Sequence, residues 1–213
     1  LLANTQHLQP SPEVLRQYSR AQQVSRMGDQ GEQFAALVRQ ICQDVVNKAA
    51  YLSWLQHLRP EVISDVGVRE GLMKDCLFMI QEQHQEFLAP VLSEGTLRFA
   101  ALVAAFFQPE MPGMLFLEEV ENGIHPSRLR LMMELLRTQA AKGQTQIMVS
   151  THSPALLAWV QEAEYAHTFF CQRDEETGES RIRPLTAIPE FKQAIKHRSL
   201  AELITEGWLE TLP

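Results

Sequence analysis

The sequence predicts an α/β fold: a mainly parallel sheet flanked by helices, with an N-terminal helical section and a small antiparallel strand group. Three observations carry that expectation. The segments MLFLE (114–118) and TQIMVS (145–150) are short and apolar throughout, as strands covered on both faces must be. Helical patterns alternate with them at 93–107, 126–142 and 153–161. Upstream, Phe34, Leu37, Val38, Ile41, Cys42, Val45 and Val46 recur at helical spacing and make one apolar face.

The elements follow in order. Ser11 offers a capping hydroxyl, Pro12 a first-turn proline and Glu13 an acid at the positive dipole end, so a helix should start there and run to about Met27. GDQG (28–31) breaks it, the 34–46 stripe makes the next helix, and KAAYLSWLQHL (48–58) a third that stops before Pro60. EVISDVGV (61–68) and LMKDCLFMIQ (72–81), rich in β-branched and aromatic residues, read as a group of strands. FAALVAAFF (99–107) is too short to cross a bilayer and reads as a buried helix. Residues 166–187 read as two strands turning at ETGE with Gly178 in the turn, and 199–206 as a short helix ended by Gly207. The chain thus divides into a helical section, 1–60, and an α/β lobe, 61–213.

Composition narrows the function. A formal charge of −7 over 213 residues gives no sign of a broad nucleic-acid-binding face. No run of 18 apolar residues exists to span a membrane. Cys42, Cys76 and Cys171 are odd in number and widely spaced, which favours free thiols in a reducing cytoplasm.

Three motifs carry chemistry. LFLEE ends a strand in Glu118 and Glu119, which places two carboxylates at the sheet edge where open α/β folds bind ligands. One can hold Mg²⁺ and the next can polarise a water for phosphoryl transfer. A strand emerging into solvent with two acids on its turn is the plainer alternative. STHSP (150–154) sets His152 at a strand-to-helix turn, able to donate to a phosphate oxygen, or else a capping turn with an incidental histidine. LSEGTLR (92–98) opens a helix with Ser93 as N-cap and Gly95 permitting close backbone approach, an anion site or a plain serine cap.

In order, LSEG, LFLEE about 25 residues on, and STHSP about 33 further resemble the motifs of ABC-type ATPases. The similarity is closer still to the predicted-ATPase (AAA family) group related to RecF and the structural-maintenance-of-chromosomes (SMC) proteins. LSEGTLR resembles the signature, LFLEE the Walker B strand, ENGIHP (121–126) the D-loop and STHSP the switch-histidine loop; VLRQYSR, GDQGEQFAALVRQI and SLAELITEGWLE extend the likeness. The resemblance implies a dimer that sandwiches ATP and Mg²⁺ between protomers. Ser93 and Gly95 would face the γ-phosphate across it, Glu118 would serve the metal, and Glu119 would be the catalytic carboxylate. His152 would be the switch residue, and Glu121, Asn122 and Gly123 would lie in the D-loop. Arg98 would couple the signature helix to the nucleotide state or be a plain surface arginine.

The sequence departs from the pattern in three places. Glu118 stands where ABC proteins generally have Asp, and Glu94 where many signatures have glycine. No G-x-x-x-x-G-K-[ST] occurs, so the Walker A cradle is absent. The resemblance therefore implies the C-terminal part of an ATPase head, its Walker A loop on an N-terminal lobe elsewhere. The implied work is DNA repair, chromosome handling or phage defence, with DNA or a nuclease as partner and the part alone inactive. The alternative is a non-catalytic dimerisation or partner-binding module.

Overall fold

A computed structural model of the chain describes residues 4–173 and 178–211. These form two compact units, Leu1–Thr151 and His152–Pro213.

The first unit is built on a three-stranded sheet and a four-stranded one. Its elements are β1 (Thr5–Leu8), α1 (Pro12–Leu15), β2 (Ser19–Arg20), α2 (Phe34–Ile41), α3 (Val45–Gln56), β3 (Ile63–Glu70), β4 (Asp75–Glu82), β5 (Gln85–Leu88), α4 (Glu94–Ala105), β6 (Met114–Leu117), α5 (Leu129–Ala141) and β7 (Gln146–Val149). The three-stranded sheet has the order β1-β6-β7, and both pairings are parallel. In the other sheet β3 lies along one edge of β4 while β2 and β5 share the opposite edge, all antiparallel. Helix α4 is the centre of this unit: Leu97 and every residue from Phe99 to Ala105 are buried. It packs against α1, α2 and α3. Tyr51 of α3, fully buried, discharges its one polar atom by donating to the Ala100 carbonyl at 3.0 Å.

A buried amide cluster fixes the start of β1 to the end of α4. Gln108 donates to Gln6 Oε1 at 2.9 Å and accepts from the Met27 backbone N–H at 2.5 Å. Gln6 in turn donates to the Met27 carbonyl at 2.7 Å. Such a cluster is tolerated in a core because each member satisfies another.

The expected strands at 61–81, 114–118, 145–150 and 166–187 are all present, as are the buried helix over 99–107, the helix over 126–142 and the helix over 48–58. Three expectations need correction. The helix starting at Ser11 ends at Leu15 instead of running to Met27, because Ser19 and Arg20 pair with Cys76 and Asp75 of β4. The stripe over 34–46 is two helices, not one. Asp44 breaks it and caps α3, its carboxylate accepting the Asn47 N–H at 2.8 Å, which leaves Val45 and Val46 exposed. The helix over 153–161 is only the turn Pro154–Leu157. Strand β1 was not anticipated.

The second unit contains α6 (Pro154–Leu157), the antiparallel pair β8 (Phe169–Arg173) and β9 (Ser180–Pro184), α7 (Phe191–Ala194) and α8 (Leu200–Thr205). Its core is Leu185, Ile188, Phe191, Leu200, Leu203 and Leu209, with Tyr165 edge-on to Phe191. Ser199 and Glu202 form a reciprocal capping box on α8, and Gly207 follows that helix at φ +68°. Part of the expected ETGE turn lies outside the described residues; Gly178 is left-handed at φ +72°.

Candidate functional site at the carboxyl edge of the parallel sheet

Register brings the motifs to one edge. Leu8, Leu117 and Val149 are level across β1, β6 and β7, so the chain leaves all three strands side by side at Gln9, Glu118 and Ser150. Glu118 stays tied to the sheet through its N–H, which donates to the Leu8 carbonyl at 3.3 Å. Its carboxylate lies 2.8 Å from Nε2 of His7, whose ring stacks on Phe116 at 5.4 Å.

At Glu119 the backbone turns sharply into φ +45°, a left-handed conformation uncommon for a residue with a β-carbon. The surroundings hold it there. Its N–H donates to the Ser150 hydroxyl at 3.3 Å, and its carbonyl accepts the Asn122 N–H at 2.9 Å. The Asn122 side-chain amide donates to the Glu119 carboxylate. Glu121 accepts from the Thr151 hydroxyl at 2.7 Å, which links the turn after β6 to the one after β7. The loop from 119 to 124 is therefore pinned at both its backbone and its carboxylates.

Helix α4 enters directly against this loop. Ser93 caps it, Oγ accepting the Thr96 N–H at 3.3 Å. Gly95 permits the approach: a β-carbon there would stand 2.5 Å from the Gly123 carbonyl oxygen. Gly123 is left-handed at φ +71°, and a β-carbon on it would meet Cδ and Nε of Arg98 at 3.4 Å. Burial pulls the Arg98 pKa down, while the Glu94 and Glu119 carboxylates pull it up. On the other side, Arg16 donates to the Leu92 carbonyl at 3.3 Å, immediately before the cap.

The structure thus gathers Glu118, Glu119, Glu121, Asn122, Gly123 and Gly95 into one contiguous region of the first unit, with Ser93 at the adjoining helix start. His152 opens the second unit, exposed, directly after Thr151 in the chain. Sequence reading missed His7 and gave Ser150 and Thr151 no role. The latter two belong to a quoted motif and were within reach. His7 had no local signal, since only parallel pairing across 111 residues brings it to Glu118.

The donors at this edge suit magnesium. They are hard oxygens, two carboxylates on consecutive residues with the Ser150 hydroxyl beside them, and Mg²⁺ takes one or two carboxylates and fills its remaining positions with water and phosphate. Among the described residues no three His, Cys, Asp or Glu side chains cluster to hold a metal by themselves. None of the helices there is long and apolar enough to cross a membrane.

Residues 55–158 match the family model described as "AAA domain, putative AbiEii toxin, Type IV TA system". Among solved structures the chain is similar to one described under ATP-driven dimerization and DNA-stimulated activation of SMC ATPases, with 13% identity over 71% of this chain and 91% of that one, TM-score 0.46. It is also similar to the SMC head domain from Thermotoga maritima, with 15% identity over 70% of this chain and 50% of that one, TM-score 0.44. For the Smc head domain with coiled coil and joint from Pyrococcus yayanosii the values are 12%, 70%, 28% and 0.48. The chain spans half or less of the last two. No curated protein matches the sequence.

Proposed function

From the premise that this chain is a relative of the AAA-domain P-loop ATPases, matched over residues 55–158, we propose that it carries the hydrolytic edge of an ABC-type, SMC-like ATP site. The observation that supports this best is the packing of the α4 start on the 119–124 loop through Gly95 and Gly123, with Glu119 on that loop and Glu118 at the strand end directly before it. A solvated strand end would need neither glycine nor a pinned left-handed glutamate.

In this reading Glu119 is the general base that orients and polarises the attacking water. Glu118 is the magnesium-side carboxylate, kept in place by His7. His152 donates to the γ-phosphate. Ser93, Gly95 and the free N–H groups of the α4 start receive the γ-phosphate of a nucleotide held by a second protomer, and Glu121, Asn122 and Gly123 face the partner as the D-loop. When bound, Mg²⁺ neutralises charge on the β- and γ-phosphates. The phosphate cradle comes from outside these 213 residues, because no G-x-x-x-x-G-K-[ST] occurs in them. The domains are read as 1–60, a helical section, and 61–213, the lobe that carries the motifs. The setting is the cytoplasm, and the work coupled to hydrolysis is DNA repair, chromosome handling or defence, beside DNA or a nuclease.

The test is Glu119→Gln in the full-length protein. It is expected to abolish ATP turnover and to leave Mg-ATP binding within about threefold of the parent; unchanged turnover refutes the role given to Glu119. The missing cradle also favours a second reading, a non-catalytic dimerisation or partner-binding module, for which Mg-ATP titration of the full-length protein should show no saturable binding. Adding DNA to the turnover assay tests the nucleic-acid partner: no stimulation together with no mobility shift removes it.

A further inference from the structure

We propose that Arg98 is a positioning residue: wedged beneath Gly123, it ties the first turns of α4 to the 119–123 loop and so sets where the Glu119 carboxylate stands. For its kinetic consequence the inference rests on the ATPase reading above; its structural consequence stands apart from that reading.

Three observations carry it. The first is contact. The place of the missing β-carbon on Gly123 lies 3.4 Å from both Cδ and Nε of Arg98 and 3.5 Å from Cβ of Glu94, so the arginine stem runs under the loop and not out to solvent. The second is desolvation. Nε of Arg98 is buried and donates to no acceptor among the described residues. A surface arginine would turn that N–H to water, since leaving a donor dry is costly. The third is charge. The guanidinium feels both Glu94, at the start of α4, and Glu119, at the start of the loop. Each carboxylate belongs to a different element, and both act on the Arg98 charge.

These features explain why the loop tolerates a left-handed Glu119 followed by a left-handed Gly123. Asn122 holds the Glu119 carboxylate from within the loop. Arg98 supports the same loop at Gly123, where its Cδ and Nε lie 3.4 Å from the place of a β-carbon. Lysine at 98 would keep the charge but lose the flat, branched head, so it would replace the arginine only in part.

The experiment compares Arg98→Ala, Arg98→Met and Arg98→Lys with the parent in the full-length protein, by ATP turnover and by hydrogen exchange. In Arg98→Ala, kcat is expected to fall on the order of 10- to 100-fold, as for a displaced catalytic group, with the KM for ATP changing less than about threefold. Exchange at the Asn122 and Ile124 amides, which close the loop on Glu119 and Glu121, is expected to quicken while the Phe99–Ala105 amides stay protected. Arg98→Lys is expected to recover part of the kcat. Arg98→Met preserves the stem without the charge and serves if the alanine variant does not fold; it should show the same kcat loss. Unchanged kcat and unchanged loop exchange overturn the proposal, as does a KM that rises in step with the fall in kcat. If the parent protein neither binds nor turns over Mg-ATP, the ATPase reading fails by itself. Loop exchange alone then decides Arg98, quickened exchange in Arg98→Ala supporting the proposal and unchanged exchange overturning it.

Discussion

Gly95→Ala separates a packing glycine from a merely flexible one. Alanine is ordinarily the better helix residue, by about 0.5–1 kcal/mol, so helix propensity alone predicts stabilisation. The contact predicts the reverse. The new methyl would lie 2.5 Å from the Gly123 carbonyl oxygen, closer than the 3.0 Å limit that real β-carbons respect, with the Gly123 carbonyl carbon and Ile124 Cα both at 3.4 Å. All three are backbone atoms, so no side-chain rotation relieves the overlap. Either the start of α4 or the loop must shift by at least half an ångström, an overpacking cost of about 1–3 kcal/mol. Set against the propensity gain, the net runs from about zero to a loss of about 2.5 kcal/mol, or a Tm lower by up to roughly 10 °C for a unit of this size. Differential scanning calorimetry measures it, with Gly67→Ala as the control, since its methyl would meet only Met79 Cε at 3.8 Å. That control should unfold at or above the parent temperature. A Gly95→Ala protein more stable than the parent by the about 0.5–1 kcal/mol that helix propensity alone predicts would refute the close approach of α4 to the loop, and with it the main support for the proposed site.

Two further outcomes follow from the core and the thiols. Gln108→Leu leaves the Met27 N–H without its acceptor and Gln6 Oε1 without its donor and should cost about 2–4 kcal/mol, read from the urea midpoint; a loss below about half a kcal/mol contradicts the amide cluster. Burial pushes the Cys42 thiol up to about 11 from 9.0, so iodoacetamide at pH 8 should modify exposed Cys171 first, with Cys42 slower by about 100-fold than an unperturbed thiol. Because the folded-state value is the higher one, the contribution of Cys42 to stability is complete below pH 9 and is lost as the pH rises towards 11. The urea midpoint of the parent should fall across that window more steeply than that of Cys42→Ala.

What the sequence made legible depended on how local the signal was. Strands β6 and β7 announce themselves by short apolar runs, although the expected cover on both faces is missing from β7, where Met148 is exposed; α4 announces itself because eight of its positions are buried. Strand β1 does not, since THR-GLN-HIS-LEU has one aliphatic residue and gains its place from β6 far along the chain. The overlong first helix has the same cause in reverse: residues 16–27 suit a helix locally, and pairing with β4 overrides that preference. Val45 and Val46 fit the apolar stripe by spacing alone, until Asp44 restarts the helix and rotates them outward. At the site, Glu119 and Asn122 lie three residues apart and could be read as a unit. The approach of Gly95 to Gly123 and the pairing of His7 with Glu118 are tertiary, and no window of sequence contains them.

The parallel sheet also dictates an order of assembly. His7 and Glu118 are separated by 111 residues, so during synthesis β1 cannot pair with β6 until β6 has left the ribosome, a wait on the order of ten seconds at ordinary translation rates. The antiparallel β3–β4 hairpin, by contrast, closes on itself within about twenty residues and can form long before. A parallel pairing with so large a loop is entropically slow as well as late. Over that interval the edge of β1 that β6 will cover, and the Gln6 amide that Gln108 will satisfy, are without those partners.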